Sequence, residues 1–368
     1  MQSNFRALYL FLMLLPWFAG GCASDRPPSG GPANTSPLQV MFDPPPSSVN
    51  VSTNRLRLTF NHYVAGQQLL DALVFSPSIG EFDIALDGRK AELVLDKPLA
   101  PQQTYIITLD KNLKDIQGRT LPAPFTTAFS TGAVIDNGTI SGKVINYDFS
   151  PANNALILAF AEHTDTHGQE SLTTRKPDYL IQAETSGAFS FRHIANGLYR
   201  IIAVNDQNND LRYTPGAEET GLCSSAFVPT GSSDLLFRFS GVPDSTRHSP
   251  VAQAPAMTTT GSISGTCFAP GQYLVIEASS ATASCRTTAS RSQNGTFYYS
   301  FPEIPPGRYT ISAYVLSGNK KPDSIQQWNP GSIEPFQPAE PFGYYPEKVT
   351  VRAGWPTEHI DIHIKNAQ

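Results

Sequence analysis

Beyond residue 36 the chain is written in short runs that alternate apolar and polar side chains. Leu56-Arg-Leu-Thr-Phe60 and Ala91-Glu-Leu-Val-Leu95 are the clearest, and a period of two is the pattern of a half-buried strand. Val74-Phe-Ser-Pro77 and Phe82-Asp-Ile-Ala-Leu86 read the same way, with Asp87-Gly88 as a tight hairpin turn. Thr104 to Leu109 and Phe125 to Ser130 complete a first set of strands. No amphipathic helical stretch follows residue 22, while Thr, Ser, Tyr and Phe are frequent. The expectation is an all-β protein.

The pattern then repeats. Gly138-Thr-Ile-Ser-Gly142 is answered by Gly261-Ser-Ile-Ser-Gly265, and Gly187-Ala-Phe-Ser-Phe191 by Gly295-Thr-Phe-Tyr-Tyr299. Asn196-Gly-Leu-Tyr199 is answered by Pro306-Gly-Arg-Tyr309, each followed by an alternating strand. Two copies of one supersecondary plan are therefore expected after the first module. Residues 37–132, 135–240 and 258–366 are read as three tandem β-sandwiches, with the Pro- and Ser-rich residues 241–257 as a linker.

Particular residues connect these modules to known families. Pro44-Pro-Pro46, the Leu56 to Phe60 strand, Pro98-Leu99 before Thr104-Tyr105, Leu113-Lys-Asp-Ile-Gln-Gly118 and the closing Phe129-Ser-Thr-Gly132 resemble the bacterial Ig-like domain first named from a surface-layer protein. Arg119 stands where that family usually has Asn. The resemblance implies a seven-stranded sandwich used as a spacer or adhesive module. The Gly-x-Phe-x-Phe and Pro-Pro-Gly-x-Tyr elements of the later modules resemble the carboxypeptidase-regulatory-like, transthyretin-like sandwich, more closely in the third module than in the second.

The first residues break the strand pattern. Arg6 precedes the apolar run Ala7 to Leu15, Pro16 follows, and Ala19-Gly20-Gly21 stand directly before Cys22. This is the anatomy of a secretory signal peptide over residues 1–21, and the apolar run is shorter than the roughly 20 residues a spanning helix needs. Small residues followed at once by a cysteine resemble the bacterial lipobox. That resemblance implies cleavage before Cys22, a thioether-linked diacylglycerol on its sulfur and acylation of its amine. A plain signal peptide with a chance cysteine is the alternative. Residues 22–36 would then be a flexible tether. Ala23, rather than Asp, implies sorting to the outer membrane, on either face. The whole arrangement looks like exported lipoproteins of the Bacteroidetes group.

Charge narrows the partners. Only 15% of residues are charged and the net charge is −5, without a basic patch, so nucleic acid is excluded as an expected partner. The lipid anchor makes the membrane one partner, and an envelope protein or a glycan would be another.

Candidate chemistry is sparse. The chain lacks Gly-x-Ser-x-Gly, His-Glu-x-x-His, a phosphate-binding glycine loop and Cys-x-x-Cys. Ser317-Gly-Asn-Lys320 fits Ser-x-x-Lys without the companion motifs and is read as chance. No cofactor is required by any pattern. Asp206, Asn208 and Asp210, with Glu218 and Glu219 further on, present oxygens that can converge on calcium; they can equally cap their own turn. Cys267 and Cys285 share a module and can form a disulfide or remain buried thiols, with Cys223 left over. Trp328, Tyr344 and Trp355 lie among prolines and glycines and could form a glycan-stacking surface or pack beneath their own loops. Along Glu358 to Lys365, Ile360, Ile362 and Ile364 alternate with His359, Asp361 and His363, so the isoleucines should be buried and the polar face solvated or zinc-binding.

The reading is a non-catalytic outer-membrane lipoprotein acting as a structural, scaffolding or adhesive array. A glycan-binding accessory protein is the runner-up and a hydrolase a distant third.

Overall fold

In the computed structural model, which describes residues 35–153, 155–162, 171–208, 211–241, 259–316 and 327–365, the alternating runs of the first module are strands. They are β1 (Val40–Asp43), β2 (Arg55–Phe60), β3 (Leu73–Ser76), β4 (Phe82–Asp87), β5 (Lys90–Leu95), β6 (Thr104–Leu109) and β7 (Phe125–Ser130). One sheet runs β1-β2-β5-β4 and the other β3-β6-β7. Leu56, Leu58, Ala91 and Leu93 are wholly buried between them, because alternation puts every second residue on the same face. Asp87 pairs with Lys90, so the hairpin turn is Gly88-Arg89, one residue later than expected. Gly88 takes φ 63° there, a conformation glycine adopts without steric cost.

Two features of this module have local causes. A seven-residue helix, α1 (Gly66–Ala72), was not expected; it buries only Leu69 and Ala72, too few turns to imprint a 3.6-residue period on the sequence. Asp115 organises the Leu113 to Gly118 turn. Its Oδ1 accepts the backbone N–H groups of Gln117 and Arg119 at 2.8 and 2.9 Å, and its Oδ2 accepts Arg119 Nε at 2.6 Å. Arg119 therefore adds an ion pair to the turn.

The second module consists of β8 (Gly138–Ile145), β9 (Leu156–Ala161), β10 (Tyr179–Gln182), β11 (Ala188–Ile194), β12 (Leu198–Val204), β13 (Thr220–Leu222), β14 (Val228–Pro229) and β15 (Leu235–Phe239). They join one eight-stranded sheet, β10-β9-β12-β13-β15-β8-β11 with β14 on β12. Its two halves contribute Ile157, Tyr199 and Ile201 from one side and Ile140, Phe191 and Phe237 from the other to a single core.

The third module has β16 (Gly261–Phe268), β17 (Tyr273–Ser279), β18 (Ser284–Ser290), β19 (Phe297–Ile304), β20 (Gly307–Val315), β21 (Phe342–Tyr344), β22 (Val349–Val351), β23 (Pro356–Thr357) and β24 (Ile362–His363). Strands β19-β16-β23, with β24 also on β16, face β18-β17-β20-β21 across a core that includes Phe297, Ile311 and Ile362. Only Ile362 and His363 of the expected last strand pair in a ladder, but the burial alternates as expected, with Ile360, Ile362 and Ile364 inside.

The repeated Gly-x-Ile-Ser-Gly element has a common cause in both modules. Its strand pairs in parallel with the module's last strand, β15 on β8 and β24 on β16. A Cβ at Gly142 would collide with the Leu235 carbonyl oxygen, and one at Gly265 with the Ile360 carbonyl. Only glycine lets the backbones approach so closely.

Leu38–Gln368 cluster as one compact unit. Ile106 and Ala128 of the first module belong to the second module's core. Leu180 N donates to Ser76 Oγ at 3.2 Å, and Gln182 Nε2 to Asp110 Oδ2 at 2.9 Å in a buried bond. Among the described residues no helix is long and apolar enough to cross a membrane.

Candidate functional site

The most elaborate construction in the molecule lies between the second and third modules. Every residue from Leu156 to Phe160 on β9 is buried, although an exposed sheet would bury only alternate ones. Ile157 and Ala159 point into the module's own core. Leu156, Leu158 and Phe160, with Ile202 and Val204, pack instead against Ile333 and Ala339 of the third module. Those two residues lie between β20 and β21, where Ser332 and Gln337 exchange backbone bonds of 3.0 and 2.8 Å. Ala339 N donates to Cys223 O at 3.1 Å and Thr173 Oγ1 to Glu334 Oε1 at 2.8 Å. The third module thus lays an apolar hairpin over the second module's outer face.

A second cluster lies alongside. Ile145, Val275, Tyr314, Leu316 and Phe342 are buried together, with Phe149, Leu236, Trp328 and Tyr344 packed on them. Arg238 on β15 is only 8% exposed. Its guanidinium sits 4.6 Å from the Tyr147 ring, 4.1 Å from Phe149 and 5.0 Å from Trp328, and its Nη2 donates to Tyr147 O at 2.7 Å. Burial draws its pKa down to about 10, so the group stays cationic near neutrality. Three ring faces supply the negative potential that a buried cation needs. Arg200 repeats the device between Phe227 and Phe336, at 4.6 and 5.1 Å.

This placement decides the aromatic candidates. Trp328 donates its Nε1–H to Glu340 O at 2.9 Å and meets Phe342 edge-on, and Tyr344 packs on Phe149 at 5.3 Å. Both serve the module interface. Trp355 is 69% exposed, at the turn before β23. The three do not form one surface: Trp328 and Tyr344 pack at the boundary with the second module, and Trp355 stands apart in solvent.

The remaining candidates are equally plain. Asp206 Oδ2 accepts Leu211 N at 3.0 Å, Glu218 Oε2 accepts Thr214 N at 2.8 Å and Glu219 Oε2 accepts Asn205 Nδ2 at 3.3 Å. These bonds are those of self-capping turns. Asn208 is exposed, and Asp210, Cys22 and Ser317 to Lys320 lie outside the described residues, as does nearly all of the expected linker. Cys267 is wholly buried on β16 and Cys285 half-buried on β18 of the other sheet; both thiols, like that of Cys223, are free, so the structure holds no bridge between them. Among the described residues no three His, Cys, Asp or Glu side chains gather to hold a metal ion. Asp361 is bonded to Thr266 and His363 is stacked on Phe268, so they do not converge with His359.

Sequence reasoning missed Arg238 and Arg200. The available signal was Leu235-Leu-Phe-Arg-Phe239, where Leu236 shares the outward face with Arg238 and marks that face as covered. Among the described residues the interface carries apolar area and caged cations but no nucleophile paired with a base; such an arrangement can hold two modules in a fixed relation.

The sequence model of a bacterial Ig-like domain matches residues 33–131. No curated protein matches the chain. Among solved structures the chain is similar to the N-terminal part of the bacterial S-layer protein SbsC, at 14% identity and a TM-score of 0.20 over 46% of this chain and 40% of that one. A streptococcal ancillary pilin matches at 7% identity and a TM-score of 0.17 over 77% of this chain and 80% of that one. Native alpha-2-macroglobulin from Escherichia coli, spanning domains MG0-NIE-MG1, matches at 9% identity and a TM-score of 0.21 over 77% and 95%. The chain thus spans less than half the length of the S-layer fragment.

Proposed function

We propose that this protein is a non-catalytic, lipid-anchored element of a bacterial cell envelope in which three β-modules act as one stiff spacer or scaffold. The observation that carries the reading is the junction between the second and third modules. Modules joined by small polar contacts move freely, whereas a large apolar junction holds them fixed. Here the hairpin bearing Ile333 and Ala339 and the Arg238 cage exclude water along the boundary, and Ser76, Asp110 and Ile106 secure the first module to the second. The bacterial Ig-like match over residues 33–131 supports a surface or envelope role for the first module. The leader and Cys22 support anchoring in the outer membrane, where several acyl chains would hold the protein stably.

Small-angle scattering from the purified chain tests the central claim. A profile that one rigid conformation reproduces is expected, and a profile that demands independently moving modules overturns it. For the anchor, Cys22→Ser is expected to release the protein from the membrane fraction; retention of the variant with processed lipoproteins would reject that part.

A further inference from the structure

Apart from Lys365, whose Nζ donates to Asp234 Oδ2 of the second module at 2.9 Å, the outer face of the third module's β19-β16-β24 sheet lies outside the apolar junction, and its side chains stand in three rows. Ser264 faces Ser300 across the β16–β19 ladder, and Thr266 faces Tyr298. On the other side of β16, Asp361 Oδ1 accepts Thr266 N at 2.9 Å and Thr266 Oγ1 at 2.7 Å. In the last row Phe268 lies beside His363, its partner in the parallel β16–β24 ladder. Rows are about 7 Å apart, since same-face residues on a strand are two apart.

Three properties of this face point to one kind of ligand. First, its rings are exposed and already fixed. Phe268 and His363 stack face to face, 4.8 Å between centroids with their planes 9° from parallel, and Phe268 is 46% exposed. Tyr298 is 59% exposed, and its hydroxyl accepts Asn294 Nδ2 at 3.0 Å. Fixed rings lose little freedom when a flat ligand settles on them. Second, both bonds from Thr266 fall on one oxygen of Asp361, and among the described residues Oδ2 accepts none. The carboxyl is held below its usual range by those bonds, so at neutral pH it offers an ionised acceptor. Third, the rows contain hydroxyls, one carboxylate and an imidazole, and Lys365, which continues this face beyond His363, is engaged by Asp234, so the face is poorly equipped to neutralise an anionic polymer.

We propose that this face binds a neutral polysaccharide chain, its sugar rings packing on Tyr298 and on the exposed side of the Phe268–His363 stack while Asp361 Oδ2 accepts sugar hydroxyls. Pyranose rings offer flat C–H faces for the aromatics and peripheral hydroxyls for Asp361, Ser264 and Ser300. A protein partner is less well matched, because Phe268 and Tyr298 stand in different rows among hydroxyls and a carboxylate, whereas the core of a protein interface is depleted of charge. The inference goes beyond the scaffold reading and does not depend on it: binding here requires no rigidity between modules.

Isothermal titration of the purified full chain with cellohexaose, xylohexaose, maltohexaose, mannohexaose and chitohexaose, with polygalacturonate as the anionic control, tests it. Saturable binding of at least one neutral oligomer is expected. Phe268→Ala and Tyr298→Ala should each weaken it roughly tenfold or more without changing the melting temperature, and Trp355→Ala, exposed but outside the rows, should leave it unchanged. The proposal is overturned by no binding of any neutral oligomer at millimolar concentration, by undiminished affinity in both ring variants, or by a preference for polygalacturonate. Dimerisation that Phe268→Ala abolishes would overturn it in favour of a second copy.

Discussion

Tyr199 and Tyr309 occupy the same place in two successive modules and make the same bond. Each hydroxyl donates to the carbonyl four residues upstream, Tyr199 to Ala195 at 2.6 Å and Tyr309 to Pro305 at 2.9 Å. Both side chains are almost wholly buried, and the bond pins the entry of β12 and of β20 in the manner of a tyrosine corner. Tyr199→Phe and Tyr309→Phe should therefore cost similar amounts, about 1–2 kcal/mol each, and the alanine variants about 3–5 kcal/mol. Urea midpoints of the four variants check this; a cost confined to one tyrosine would show that the corners are not equivalent.

Arg238 and Trp328 are expected to couple energetically across the second junction. Removing either leaves the other in a partly emptied cage, so the two alanine substitutions should not add. A double-mutant cycle on unfolding free energy is expected to return a coupling of roughly 0.5–2 kcal/mol. Arg238→Lys keeps the charge but loses the planar stack and should still destabilise.

Thiol reactivity should rank with burial. Desolvation pushes Cys267 up to about 12 and Cys223 up to about 11, so neither offers thiolate at pH 8, and the thiolate is the nucleophile. Cys285 is also shifted upward but is only half-buried. Native-state alkylation followed by peptide mass spectrometry should find Cys285 modified first, with Cys223 and Cys267 reacting only after denaturation. A Cys267–Cys285 cross-linked peptide in non-reduced digests would contradict the free thiols.

Acid should weaken the first module through Asp115. Burial alone raises its pKa, but the bonds from Arg119 and Gln117 outweigh that and hold the folded carboxyl below its usual value. Its contribution is thus complete above the ordinary aspartate range of about 4 and is lost as the pH falls through the lower folded value. Asp115→Asn should make melting temperature less dependent on pH below that range. Thermal melts across the acid limb provide the comparison.

Much of the fold is legible along the chain because a strand with one face in a core must alternate. That is why Leu56 to Phe60, Ala91 to Leu95 and Ile360 to Ile364 bury the residues their spacing selects. The repeated Gly138 and Gly261 elements were legible for a related reason, since a backbone approach that excludes a Cβ leaves glycine in both copies. Helix α1 was not, because Leu69 and Ala72 are too few positions to carry a period.

The candidate sites were less legible, and the reason is covering. Trp328, Tyr344 and Arg238 carry no mark of which surface will meet them, and the Asp206 oxygens read as ligands until Leu211 N–H is seen to occupy one. An all-β chain, its repeated module and the inward face of its half-buried strands are all written in near-neighbour spacing. Folding at long range settles that β9 is buried on both faces, that Arg238 is caged by rings from two modules, and that Phe268 and Tyr298 stand exposed on one face. Those outcomes depend on contacts between residues far apart in the chain, such as Arg238 with Trp328 or Thr266 with Asp361, and no local period encodes them.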